Sequence, residues 1–288
     1  MASNGNPFST AAALQELTRT QVVLPRTEQW VMESRHERRK YQISVATPIQ
    51  PPPPGGYPVI YLLDGNSVFA TMTEAMRMQC HRPDKTGVLP AVIVGIGYQT
   101  EAAFSPDRYY DFTPIATSEY SQKSDGTPLP KQGGAAGFLQ FIEEELKPEI
   151  QRQFQIDATR QTLFGHSLGG LFTLHVLFTR PTAFQCYIAG SPSIHWIKPY
   201  LLEEEEQFVS GLQHKQQEVE VLITMGELEK GHVSGNLDQA KEMAQRLARL
   251  KEQGVNSQYV EFEGEGHVSV LLPLISRALR FALRPLKN

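Results

Sequence analysis

A strand-to-helix turn built around one serine constrains this chain more than any other feature. Gly165-His166-Ser167-Leu168-Gly169-Gly170 contains the G-x-S-x-G spacing; it follows the β-like Thr162-Leu163-Phe164 and opens a helical run, Leu168 to Thr179, that ends before Pro181. A turn this tight brings backbone against backbone, so glycine is wanted at 165 and 169. It lifts the Ser167 hydroxyl to the C-terminal edge of a sheet and to the N-terminus of a helix. There the N–H of Leu168 has no helical partner and can stabilise a developing oxyanion. The alternative is a glycine-rich turn that happens to hold a serine.

The segments around it read as alternating strands and helices. Glu28 to Ser34 and Lys40 to Ala46 form a hairpin across the charged turn His36-Glu37-Arg38-Arg39, and Pro51 to Pro54 make an extended connector. Pro58 to Leu63 and Ala91 to Ile96 are continuous apolar runs, as in parallel strands covered on both faces, with a helix from Phe69 to Met78 between them. Thr162 to Phe164, Cys186 to Ala189, Val219 to Met225 and Gln258 to Phe262 continue the series. Leu237, Ala240, Met243, Ala244, Leu247 and Leu250 keep helical spacing, with Gly254 where a cap belongs, and Leu271 to Leu283 is the last helix. This pattern predicts an α/β fold: a mostly parallel central sheet, helices on both faces, and an N-terminal antiparallel hairpin. Residues 1–27 read as an extension and 28–288 as a single domain. The irregular stretch 99–134 is an inserted loop of the length that lids and binding loops have.

A serine hydroxyl is a weak nucleophile and needs a base, which this topology places after the last strand. His267 stands there, behind Glu263-Gly264-Glu265-Gly266. The acid that orients the imidazole belongs after the strand Val219 to Met225, where Gly226-Glu227-Leu228-Glu229 offers two carboxylates. Glu229 is preferred because the chain has left the strand by then; Glu227 stays open. The order is then Ser167, Glu229, His267. A second oxyanion donor belongs to the loop after Pro58 to Leu63, from the backbone of Gly65 or Asn66.

Other chemistries are poorly served. Twenty-seven basic against 31 acidic residues give a net charge of −4, so there is no footprint for nucleic acid. The longest apolar stretch, Leu89 to Gly97, is far below the ~18 residues of a membrane span, and Met1 to Thr20 lacks a basic and apolar leader pattern. Two cysteines, Cys80 and Cys186, make neither a disulfide framework nor a zinc site, and a cytoplasmic location is expected. No metal or organic cofactor is called for. The acidic runs Glu143 to Glu145 and Glu203 to Glu206 read as solvated helix faces.

Several stretches together resemble a known family. Leu62 to Asn66, Arg108-Tyr109-Tyr110-Asp111-Phe112-Thr113-Pro114, Gly165 to Gly170, Ser191-Pro192-Ser193-Ile194-His195-Trp196, Gly226 to Glu229 and Gly266-His267-Val268-Ser269 are similar to the α/β-hydrolase esterases that include siderophore trilactone hydrolases. The resemblance implies hydrolysis of a small-molecule ester, the trilactone of a ferric catecholate siderophore. It puts Arg108 and the segment around Trp196 near the active site, and His195 departs from it by standing where an aromatic residue is common. An anionic aromatic ligand wants a cation and flat side chains near the nucleophile, which Arg108, Tyr109, Tyr110 and Trp196 supply; otherwise Arg108 pairs with Asp111 to pin the loop and the tyrosines pack beneath it. The alternatives are a general carboxylesterase or acyltransferase acting on small or aromatic esters, and a non-catalytic binding protein of the same fold.

Overall fold

The computed structural model describes residues 20–123, 125–212 and 218–285, so residues 1–19 of the extension read at 1–27 lie outside the described residues. One eight-stranded sheet organises the chain. Its strands are β1 (Thr27–Glu33), β2 (Lys40–Ala46), β3 (Tyr57–Leu62), β4 (Val92–Gly97), β5 (Ile156–His166), β6 (Cys186–Gly190), β7 (Val219–Gly226) and β8 (Val255–Phe262). They lie in the order β1-β2-β4-β3-β5-β6-β7-β8. β1 and β2 are the antiparallel hairpin and β2 runs antiparallel to β4, while the remaining neighbours are parallel. Every residue of β3 and β4 is buried, the cause of their unbroken apolar runs.

The helices are α1 (Gly65–Gln79), α2 (Pro83–Thr86), α3 (Arg108–Asp111), α4 (Ala135–Phe141), α5 (Lys147–Gln153), α6 (Leu168–Thr179), α7 (Lys198–Leu212), α8 (Asn236–Ala248) and α9 (Leu271–Ala282). Alternation along β3 feeds two cores. Val59, Tyr61 and Leu63 pack with side chains of α4, α6, α7 and α8; Ile60 and Leu62 pack with those of α1 and α9. α6 buries every residue from Leu168 to Phe178, so it shows no polar face and fixes the serine turn in the middle of the molecule. No helix among the described residues is long and apolar enough to cross a membrane.

Three sequence expectations need correction. α8 ends at Ala248, and Gly254 caps instead a 3₁₀ turn, Lys251–Gln253, at φ 91°. The chain tightens before β8 and the left-handed residue falls after that turn. The acidic runs are not simply solvated: Glu145 is buried and accepts the Arg35 N–H at 3.0 Å, Glu204 meets His175 Nδ1 at 2.8 Å, and Glu205 meets Arg246 at 2.7 Å. A helix buried on one side brings such carboxylates inward wherever a long-range partner waits. Last, Arg108 does not pair with Asp111. The Asp111 carboxylate is fully buried and accepts from Tyr98 Oη at 2.9 Å, Tyr41 Oη at 3.2 Å and Arg39 Nη2 at 3.1 Å, which pins the long loop to the hairpin and β4.

Strand register sets where the loops emerge. His166 lies opposite Gly190, Gly190 opposite Thr224, and Gly226 opposite Phe262. The chain segments that follow β5, β6, β7 and β8 therefore leave the sheet side by side at one edge.

Candidate active site

Ser167 holds φ 60°, ψ −119°, a conformation that costs a non-glycine residue energy and is kept only when its surroundings dictate it. Those surroundings are glycine backbones. A Cβ at 165 would collide with the carbonyl of Gly169, and one at 170 would lie 2.8 Å from Gly190 O and 2.9 Å from Pro192 Cα. At 169, by contrast, a Cβ would sit 3.4 Å or more from its nearest neighbours. The steric demand falls on Gly165 and Gly170, where the sequence pointed to 165 and 169.

The four strand-end segments bring one hydrogen-bonded line together. Ser167 Oγ lies 3.0 Å from His267 Nε2, and His267 Nδ1 lies 2.7 Å from Glu229 Oε2. The other oxygen of Glu229 accepts from Ser191 Oγ at 2.6 Å and from the Gly226 N–H at 2.9 Å. Burial works against charge on Glu229, but the donors His267, Ser191 and Gly226 together hold its carboxyl below the usual range. Glu227 is elsewhere: its carboxylate accepts the N–H of Gly264, in the loop that carries His267. With Glu229 accepting at Nδ1, the imidazole keeps its proton there and turns a lone pair on Nε2 toward the serine.

Sequence reasoning missed three supports. His166 donates from Nε2 to the backbone oxygen of His267 at 2.7 Å, the two rings 4.9 Å apart, so the residue beside the serine holds the loop of the histidine. Burial, then the neighbouring His267, push the pKa of His166 down to about 3, and it stays neutral. Ser193 donates its N–H to Ser167 O at 3.1 Å and places its hydroxyl 3.3 Å from Ser167 Oγ. Asp64, in left-handed conformation at φ 53°, forms a two-point pair with Arg108, both bonds 2.8 Å, and Arg108 reaches on to His166 O at 3.3 Å. The only local hint was Ser191-Pro192-Ser193 directly after an apolar strand.

The remaining sequence candidates fall around this line. Cavities of about 430 and 440 Å³ flank the Ser167 and His267 pair, and Arg108 and Tyr109 border both. Trp196 closes the first, its ring 5.9 Å from Tyr109 and stacked at 5.0 Å on Tyr120, its Nε1–H on Gln132 Oε1 at 2.9 Å. The inserted loop thus supplies one wall. Leu168 borders the first cavity, with its N–H in the opening turn of α6. Gly65 and Asn66 open α1 beside a neighbouring recess with Gln29, Gln42 and Ser44, and the Asn66 amide bonds Tyr98 and Thr100. Among the described residues no cluster of three or more His, Cys, Asp or Glu is placed to hold a metal ion.

Comparison with known proteins gives a consistent set. The profile of the family described as "Putative esterase" matches residues 34–278. The chain is 59% identical to the ferri-bacillibactin esterase BesA of Bacillus subtilis over 91% of each chain. It is 32% identical to the apo-salmochelin esterase of Escherichia coli over 85% of this chain and 74% of that one. The crystal structure of the BES protein from Bacillus cereus superposes with a TM-score of 0.87 at 45% identity, covering 94% of this chain and all of that one.

Proposed function

The chain belongs to this esterase family of the α/β-hydrolase fold, and from that premise we propose that it opens the trilactone of a ferric catecholate siderophore through an acyl-enzyme on Ser167. The observation that carries the reading is the unbroken line from Ser167 Oγ through His267 to Glu229, with bonds of 3.0 and 2.7 Å. His267 Nε2 takes the serine proton as Oγ attacks an ester carbonyl, and Glu229 stabilises the resulting imidazolium. The oxyanion goes to the N–H of Leu168, which borders the cavity beside Ser167. The carbonyl–alkoxy bond breaks and the departing alcohol takes the proton from His267. Water, deprotonated by the same imidazole, then attacks the acyl carbon; the carbon–Oγ bond breaks and Ser167 recovers its proton.

Two cavities that both border Ser167 and His267 suit an ester bulky in both its acyl and alcohol parts. The aromatic wall of Tyr109 and Trp196 suits flat catechol rings. Arg108 adds positive charge to both cavities, although its two-point pair with Asp64 neutralises much of it. The relatives' names support the substrate class and differ in iron state, ferric for one and apo for the other. A reducing, cytoplasmic setting belongs to the same reading and fits Cys80 and Cys186, both free and buried.

The test compares kcat/KM on a ferric trilactone siderophore, its iron-free form and a p-nitrophenyl short-chain ester. Faster opening of the trilactone, with the ferric form preferred, is expected. Turnover of the simple ester alone would leave an esterase and remove the siderophore.

A further inference from the structure

One wall of the first cavity holds a histidine whose tautomer is dictated from behind. Asn236, buried at the start of α8, donates from Nδ2 to the carbonyl of Pro192 at 2.8 Å. A carbonyl only accepts, so the amide has one orientation and its Oδ1 faces the other way. That oxygen lies 3.0 Å from His195 Nδ1 and 3.4 Å from the His195 N–H. Nδ1 must therefore carry the proton. In the neutral ring Nε2 then has only a lone pair, and among the described residues it has no hydrogen-bond partner. Burial, with the nearby His232 and His267, lowers the pKa of His195 below its ordinary value, which keeps the ring neutral near pH 7. The plane is fixed as well: Tyr120 stands edge-on at 5.9 Å and Trp196 at 6.4 Å. His195 borders the same cavity as Ser167 and His267.

We infer that His195 is a specificity-determining residue of the ester site, its Nε2 accepting a hydrogen bond from an O–H or N–H on the substrate. The inference rests on the esterase reading. His195 borders this cavity together with the Leu168 N–H, a donor only, so an acceptor at Nε2 distinguishes substrates that carry a donor of their own. A site built to receive a donor rejects the analogue that lacks it, because desolvating the imidazole nitrogen then goes unrewarded. For a catechol ester the donor is a phenolic hydroxyl, which iron removes on chelation, or an amide N–H, which iron leaves in place. His195 makes no hydrogen bond to Ser167, His267 or Glu229, so a contact it makes to the substrate is read mainly in KM.

The experiment uses three matched aryl esters: one with a free phenolic hydroxyl, one with that hydroxyl methylated, and one whose sole donor is an amide N–H. Wild type is expected to favour at least one donor-bearing ester over the methylated one by about tenfold in kcat/KM, the value of one hydrogen bond. The first and third esters tell the two donor sources apart. His195→Phe should bring the ratio close to one, and His195→Gln, which still offers an acceptor, should recover part of it. A His195→Phe ratio equal to that of wild type overturns the inference and leaves the esterase reading standing; no turnover of any ester by wild type overturns both. Independently of the variants, ¹⁵N shifts of the wild-type imidazole should show Nδ1 protonated and Nε2 bare at pH 7, and a protonated Nε2 would contradict the proposal.

Discussion

Glu229 and His267, 38 residues apart in sequence, meet at 2.7 Å because β7 and β8 end in register, Gly226 opposite Phe262. The 3₁₀ turn Glu227–Glu229 then separates two carboxylates, of which the sequence favoured Glu229 and left Glu227 open, sending Glu229 to the imidazole and Glu227 to the loop backbone at Gly264.

That separation sets the first expected outcome. Glu229→Gln should lower kcat by about 10³–10⁴-fold, as loss of the orienting acid does in related constellations, with little change in fold. Glu227→Gln should cost a small fraction of that. Steady-state kinetics on one ester decides it; equal losses would mean that the loop and not the Glu229 hydrogen bond governs His267.

The serine turn makes an unequal demand on its glycines. Gly165→Ala and Gly170→Ala should each destabilise by about 2–4 kcal/mol, since backbone on the facing side has nowhere to go. Gly169→Ala meets only ordinary contact distances and should be tolerated. Denaturant unfolding of the three variants gives the comparison.

Removing one member of the Asp64–Arg108 pair leaves a buried charge without its counterion. Asp64→Asn is expected to cost about 3–5 kcal/mol. Asp64→Leu combined with Arg108→Met should recover a large part of it, because both charges leave together. Equal midpoints for the single and double variants in thermal unfolding would count against this account.

Stability should fall on the acid side from near neutrality. His166 is neutral in the fold, with its pKa at about 3 against an ordinary 6.5, so the unfolded chain binds a proton that the folded chain refuses. Its contribution is whole above pH 6.5 and is lost as pH falls from there toward 3. Glu229, held below its ordinary 4.5, adds a loss in the same direction at lower pH. Calorimetric Tm from pH 7 to pH 4 should decline, and His166→Gln should flatten the upper part of that decline.

How much of this was legible in sequence follows from the range of each interaction. The apolar runs of β3 and β4, the amphipathic spacing of α8 and the turn at Ser167 are local patterns, and they reveal the layers and the place of that serine at the sheet edge. The place of His267 followed from the order of elements. What stayed hidden was every side chain whose partner is distant in sequence and fixed only by packing. His166 reaching His267 O, Asp64 claiming Arg108, Asp111 turning to the hairpin and Glu204 meeting His175 leave no periodic trace. The choice between Gly169 and Gly170 was likewise invisible, since it depends on which glycine faces the backbone of Gly190 and Pro192.

The most direct test of the central claim is rapid-quench mass spectrometry of the intact protein mixed with a trilactone siderophore. Wild type should gain the mass of one intact trilactone on a peptide containing Ser167, since opening a ring ester expels nothing, and then lose it as water releases the linear product. Ser167→Ala should show no adduct and a rate lower by at least about 10⁴-fold. Siderophore opening at the wild-type rate by Ser167→Ala, or an adduct on another residue, would contradict the account.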